Sequence, residues 1–301
     1  MDNSNYYYPY GMRRGRGVMK KKDLRGSKVV ITGAASGIGR GLALGFAREQ
    51  CTILLADINE AGLKQTSELV RKAGGLPEIF LCDVSKLDDV MKMADHCFNT
   101  WEKVDVLINN AGVASVGIMG DIPIKNWEWI VSINFWGVVY GCHAFIPRMK
   151  KQGCGHIVNV ASIAGIIASA EMSPYNATKA ATISISETLK SELAPYNIGV
   201  TVLCPTFIKT NLMETMRYTD EFQKQCSVAG IRSSKWTPEM IAALVIKAVK
   251  KNKLYVVPQL AAKFIWISKR ISPSAFFGMF ALLMRKGWAR KLMFHMAKKG
   301  F

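Results

Sequence analysis

Thr32-Gly33-Ala34-Ala35-Ser36-Gly37-Ile38-Gly39 ends a β-branched run at 28–32 and opens an apolar helical pattern carried by Leu42, Leu44 and Phe46. Glycines at 33, 37 and 39 permit a tight turn, a close approach of backbone to a pyrophosphate and close packing of helix on strand. The helix start adds free N–H groups, including those of Ser36 and Ile38, and the positive end of a dipole. Read alone, the stretch is equally a glycine-rich turn without a ligand. Asp57 weighs against that reading, because it ends the next apolar run twenty residues after Gly37, where a carboxylate meets the adenosine ribose hydroxyls of a dinucleotide. A carboxylate there also repels a 2′-phosphate, so NAD is expected over NADP. The alternative is that Asp57 only caps a loop. Arg40, the one base near enough to favour NADP, is expected to face solvent or a neighbouring acid.

Outward from this loop, short β-branched runs alternate with longer helical stretches: 28–32, 51–56, 78–82, 104–108, 156–160, 198–203 and 253–257. Such alternation is the pattern of repeated βαβ units. The expected fold is α/β: a doubly wound, parallel, seven-stranded sheet with helices on both faces, plus a basic, apolar, helical C-terminal arm. Ligands of such sheets bind beyond the carboxyl ends of the strands, so functional residues should follow each run. The spacing of Ser85 and Asp88 predicts a capping box, and Ser173-Pro174 and Thr237-Pro238 each predict a cap before a first-turn proline. Three regions result: a flexible basic leader over 1–27, an NAD-binding catalytic domain over 28–258 and the arm over 259–301.

Ser162 follows the fifth run, and Tyr175 and Lys179 stand four apart on the next predicted helix, so phenol and ammonium project from one face. With the glycine loop, with Asp83-Val84 and Asn109-Asn110-Ala111-Gly112 after the third and fourth runs, and with Asn134 on the following helix, they closely resemble the short-chain dehydrogenase/reductase family. The motifs keep the family's order across 28–257. The resemblance makes the expected sheet a Rossmann fold and implies reversible hydride transfer between a nicotinamide and a hydroxyl or carbonyl carbon. Tyr175 would exchange the proton with the substrate oxygen, its phenol brought down from an ordinary pKa of about 10 by the charge of Lys179. Lys179 would also hold the nicotinamide ribose, Ser162 the substrate oxygen, and Asn134 a relay water. Asp83 would meet the adenine amine, Asn109 with Gly112 would let backbone pack on the adenine ribose, and Val84, Asn110 and Ala111 would also border the cofactor. Where the family usually has Pro-Gly this chain has Pro205-Thr206, with Thr210 a further candidate contact to the carboxamide. Around the reacting carbon the expected residues are Ile163, Ile167, Met172, Phe207, Leu212, Met213 and Met216, with 207–235 as lid, which suits an apolar, lipid- or steroid-like alcohol or ketone.

The chain has 301 residues, half of them hydrophobic, and carries 40 bases against 22 acids. The body is neutral: residues 1–28 hold eight bases and two acids, and 240–301 hold thirteen bases and no acid. A nucleic-acid-binding domain carries its charge on the folded unit, so no nucleic-acid partner is expected. The seven cysteines contain no C-x-x-C pair; they read as reduced core residues, and no metal site is expected. The N-terminus lacks the apolar run of a secretory signal and no stretch reaches the ~20 apolar residues of a membrane span, giving a cytoplasmic expectation. In the arm, Phe264, Trp266, Phe276, Phe280 and Trp288 are interleaved with Lys263, Lys269, Arg270, Arg285 and Lys286. That composition suits either an anionic membrane interface or packing on the body or on a second copy, in a homodimer or homotetramer. Within enzymes the competing reading is an NADPH-dependent ketoreductase of lipid metabolism. Outside them it is a nucleotide-sensing or membrane-scaffold Rossmann protein.

Overall fold

A computed structural model describes residues 23–300, so most of the leader lies outside the described residues. Its last residues belong to the body: Leu24 is fully buried and Gly26 N–H donates to Gln50 O at 3.0 Å. The strands are β1 (Lys28–Thr32), β2 (Thr52–Asp57), β3 (Leu76–Leu81), β4 (Val106–Asn109), β5 (Ser115–Val116), β6 (Gly155–Val160), β7 (Ile198–Leu203), β8 (Arg217–Tyr218) and β9 (Tyr255–Val256). Seven of them form one sheet in the order β3-β2-β1-β4-β6-β7-β9, with every pair parallel. The expected runs recur as strands with ends shifted by a residue or two. Strand β4, for instance, starts at Val106, because the N–H of Asp105 is taken by Lys28 O. The small parallel pair β5–β8 has no counterpart among those runs.

Order reverses at β1, where the chain crosses to the other side of the sheet; ligands of doubly wound folds bind at this point. One face is covered by α1 (Gly37–Arg48), α2 (Glu60–Lys72) and α9 (Pro238–Lys250) through Leu42, Phe46, Leu63, Ile241 and Val245. The other is covered by α3 (Leu87–Trp101), α5 (Gly137–Gln152) and α7 (Ser173–Glu192) through Met93, Cys97, Phe145 and Leu189. Helix α4 (Ile124–Val131) runs into α5 through a π-helical turn at Ser132–Trp136. The resulting helix, Ile124–Gln152, is long and apolar enough by composition to cross a membrane, contrary to the sequence expectation. Phe145 and Met149 of this helix are fully buried in the body, while Ile124 and Trp136 are exposed.

Two of the three caps differ from expectation. Ser85 does not cap α3, because its N–H and hydroxyl both donate to Asp83 Oδ1, at 3.0 and 2.7 Å; Lys86 occupies the cap position. Ser173 is already inside α7, with Met172 before it. Thr237 caps α9 as expected, accepting from Met240 N–H. All seven cysteines are free, and six are buried; Cys154 is exposed and so is not a core residue.

Candidate active site

Four strand ends converge on one crevice. At the end of β1, Gly33 and Gly37 take positive φ values of 66° and 53°, the left-handed region that glycine enters without strain. A Cβ on Gly39 would stand 2.0 Å from Gly33 O, so loop and helix meet backbone to backbone. Ser36 precedes α1 without capping it through its side chain, leaving the first N–H groups of the helix to an outside acceptor. The loop is fastened to β4 by Thr32, whose hydroxyl accepts the N–H groups of Asn110 and Ala111 at 3.0 and 3.1 Å, and by Asn110 Nδ2, which donates to Thr32 O at 2.8 Å. Thr32 was not singled out as functional, although its position at the strand end was visible.

Asp57 ends β2 with one carboxylate oxygen on Ala35 N–H at 3.0 Å and the other on Asn59 N–H at 3.0 Å. It therefore borders the glycine loop directly. Arg40 does not face solvent or an acid: its guanidinium donates to Thr66 Oγ1, to the carbonyl oxygens of Ala35 and Gly62, and to Gln65. These neutral acceptors tie α1 to α2, and Arg40 is spent on them. Asp83 turns its carboxylate onto Ser85, as above, and Val84 packs against Gly137.

Beyond β4 and β6 lie the residues with reaction chemistry. A Cβ on Gly112 would meet Asn134 Oδ1 at 3.1 Å and Lys179 Nζ at 3.3 Å, so these three share one corner. Asn134 is held by both ends of its amide, accepting from Val113 N–H at 2.8 Å and donating to Val113 O at 2.9 Å. The π-turn around it, invisible in the residue pattern, is of a kind that recurs at functional sites. Lys179 is buried and donates to Val160 O at 2.9 Å. Burial pulls its pKa down from 10.5 to about 8, with Cys204 opposing. Its ammonium lies 5.7 Å from the centre of the Tyr175 ring.

Burial holds the Tyr175 phenol above its ordinary value, against a hydrogen bond to Ser162 that lowers it. The direction is opposite to the expected one, because desolvation of a phenolate outweighs the opposing effect of the neighbouring hydroxyl. Ser162 in turn donates to Pro205 O at 3.3 Å. The unusual Thr206 gives its N–H to Gln259 Oε1 at 3.2 Å, a contact from the start of the arm that no local pattern announces. Thr210 lies against the glycine loop: a Cβ on Gly37 would meet its side chain at 3.3 Å.

The residues expected around the reacting carbon separate into groups. Met172, Leu212, Met213 and Met216 pack with Tyr175. Ile163 and Ile167 instead join a cluster with Ala262 and Trp266 of the arm. Phe207 lies under Gly230 of α8 (Glu221–Ser233). Among the described residues no cluster of His, Cys, Asp or Glu could hold a metal.

A doubly wound sheet with a glycine loop at its switch point and a Ser-Tyr-Lys-Asn set beside it defines the class of dinucleotide-fold oxidoreductases. The short chain dehydrogenase profile matches residues 27–221. The chain belongs to the short-chain dehydrogenase/reductase family. It is 35% identical over 234 residues to "Probable oxidoreductase EphD" of Mycobacterium tuberculosis, a match covering 75% of this chain and 40% of that protein; the chain thus spans less than half the length of that relative. It is 34% identical to "Putative oxidoreductase SadH" of the same organism over 255 residues, covering 83% of this chain and 92% of the other. Among solved structures it resembles a family member from Burkholderia phymatum in complex with NAD, with a TM-score of 0.81, 30% identity, and coverage of 84% and 96% of the two chains.

Proposed function

We propose that the protein interconverts an apolar secondary alcohol and its ketone with NAD, Tyr175 acting as general acid and base. The observation that carries this reading is the shared corner of Gly112, Asn134 and Lys179, with the Lys179 ammonium 5.7 Å from the centre of the Tyr175 ring. The residues fit a dinucleotide: the start of α1 is uncapped, Asp57 borders the loop and Lys179 reaches the crevice wall. Gly33, Ser36, Gly37, Ile38 and Gly39 would hold the pyrophosphate, Asp57 the adenosine ribose and Tyr175 with Lys179 the nicotinamide ribose. Asp83, Val84, Asn110, Ala111 and Gly112 would border the adenosine, with Pro205 and Thr210 at the nicotinamide. Bound NAD would supply the hydride acceptor.

In alcohol oxidation Tyr175 takes the hydroxyl proton while Ser162 holds the oxygen in line, and in ketone reduction it returns one. The Lys179 charge favours the phenolate, offsetting its burial, and Asn134 orients the water through which the proton leaves. Asp57 disfavours a 2′-phosphate and so supports NAD over NADP. The Met172, Leu212, Met213 and Met216 cluster at Tyr175 supports an apolar substrate.

The test follows reduced nicotinamide formation from a panel of apolar alcohols with NAD or NADP. Tyr175→Phe is expected to lower kcat by at least ~10³-fold while NADH still binds, weakened by no more than about tenfold through the lost ribose contact. Turnover preserved in the variant refutes the role.

The arm supplies the partner. Helix α10 (Leu260–Ile271) exposes Leu260, Phe264, Ile267 and Ile271 on one face, each between 55% and 80% accessible. Residues 259–301 add nine bases and no acid. An apolar stripe flanked by bases fits an anionic membrane surface. Flotation with phosphatidylserine-containing vesicles, weakened by salt and absent with neutral vesicles, is the expected result. Failure to float together with a concentration-dependent mass would assign the stripe to a second copy.

A further inference from the structure

Helix α12 (Trp288–Lys298) ends the arm and lies against α8, the helix of the expected lid. Its Arg290 faces two carboxylates from separate parts of the substrate side. Nε donates to Glu171 Oε1 at 2.9 Å and Nη2 to Glu171 Oε2 at 3.1 Å, and Nη2 also meets Asp220 Oδ2 at 2.7 Å. Asp220 caps α8, accepting Phe222 N–H at 2.8 Å, and the guanidinium lies 4.9 Å from the centre of the Phe222 ring. Gln223 of α8 completes the cluster by donating to Glu171 Oε2 at 3.0 Å.

Glu171 connects this cluster to the chemistry. Its side chain is 3% exposed and its backbone takes φ 62°, a left-handed conformation that residues with a side chain adopt only at a cost the surroundings must offset. Its carbonyl accepts Gly117 N–H at 2.7 Å, its neighbour Met172 packs against the same apolar cluster as Tyr175, and Tyr175 follows four residues on. A buried carboxylate is tolerable only when paired and hydrogen-bonded, and here the pairing charge comes from the arm.

We infer that Arg290 is a positioning residue: it joins the loop before Tyr175 to the lid helix and thereby sets the depth of the apolar cleft that receives the substrate. The inference rests on the reading of the Tyr175 corner as the substrate site. The arm is then part of the substrate specificity of the enzyme, acting from more than a hundred residues away in the chain. Lysine cannot reproduce the bidentate fork onto Glu171.

Arg290→Gln, Arg290→Lys and the double variant Glu171→Gln/Arg290→Gln test it in the full chain, with NADH and straight-chain 2-alkanones from butanone to 2-dodecanone as probes. Expected for Arg290→Gln are a KM for the long ketones raised about tenfold with kcat and NADH affinity within about twofold, and faster amide exchange confined to 168–172 and 212–233. Arg290→Lys should fall between it and wild type, and the double variant should recover folding stability, since no charge is left buried, without recovering KM. Equal loss of kcat and KM effects across all chain lengths, or unchanged exchange in both segments, overturns the proposal. Should wild type reduce none of the ketones, the functional reading fails separately, and the exchange pattern still decides whether Arg290 holds loop and lid. Should Arg290→Gln fail to fold, the Arg290→Lys and double-variant comparisons carry the test.

Discussion

The cofactor half and the substrate half of this molecule are held by different forces. Around β1, α1 and β4 the contacts are backbone against backbone, with Thr32 and Asn110 as the fasteners. On the substrate side, the lid and the arm are joined by side chains: one guanidinium, two carboxylates and a glutamine. Helix α11 (Pro273–Arg285) has no buried residue at all. A half built on backbone approach admits one residue type at its tightest points, whereas a half built on side chains can be retuned one group at a time. This fits a family in which one hydride chemistry serves many substrates.

The hardest way to break the comparison is at Gly39. A methyl there would overlap Gly33 O at 2.0 Å, with Asn110 Nδ2 at 2.6 Å, and neither backbone nor fastener has room to yield. Gly39→Ala should cost roughly 3 kcal/mol or more, in the range of severe overpacking, and abolish NADH binding. Urea unfolding monitored beside NADH fluorescence checks it; a stable variant that still binds NADH would mean the loop is not held as described.

This difference also explains what was legible in the residues. The seven parallel strands were legible as runs, though not their order. The glycine loop and Asp57 were nameable because backbone geometry and chemistry restrict them to a few residue types, and Asn134, Ser162, Tyr175 and Lys179 because their order and spacing resemble a family's. Arg40 was read by its charge alone, and its partners across α2 are neutral groups that no local spacing announces. Glu171 and Arg290 are 119 residues apart, and neither belongs to a motif; only the packing of α12 on α8 brings them together. The Ser85 cap failed for a local reason: Lys86 occupies the cap position, and Ser85 is turned onto Asp83 two residues earlier. Ile163 and Ile167 were placed at the substrate because they follow Ser162, whereas the arm's Trp266 and Ala262 claim them.

A pH profile sharpens the comparison at the junction of the halves. Lys179 has its folded pKa lowered to about 8 by burial, from 10.5. Its charged form is therefore the costly one: the penalty on folding is fully present below about 8 and lifts as pH climbs toward 10.5. On the proposed reading activity runs the other way, because ketone reduction would need the ammonium facing Tyr175. We expect kcat for reduction to fall about tenfold per pH unit above a limb near 8, and Lys179→Arg, if it folds, to move the limb upward. A profile flat to pH 10 (about two units past that limb) would separate Lys179 from the proton transfer.

The smallest effect is expected at Gly278, the counterpart of Gly39 in the other half. It lies inside α11, and a Cβ there would meet nothing within 4 Å. Gly278→Ala removes only the backbone freedom of an exposed helical glycine, a gain of about 0.5–1 kcal/mol. Where that gain shows is the informative part. Helix α11 touches its neighbours in the arm, α10 and α12, rather than the sheet, so the added stability should slow amide exchange within 273–285 and leave the global urea midpoint unchanged. A midpoint that rises with it would show that the arm unfolds only with the body. The contacts of Arg290 with Glu171 and Asp220, and of the Lys269 ammonium with Ile166 O, would then bind the two halves into one cooperative unit.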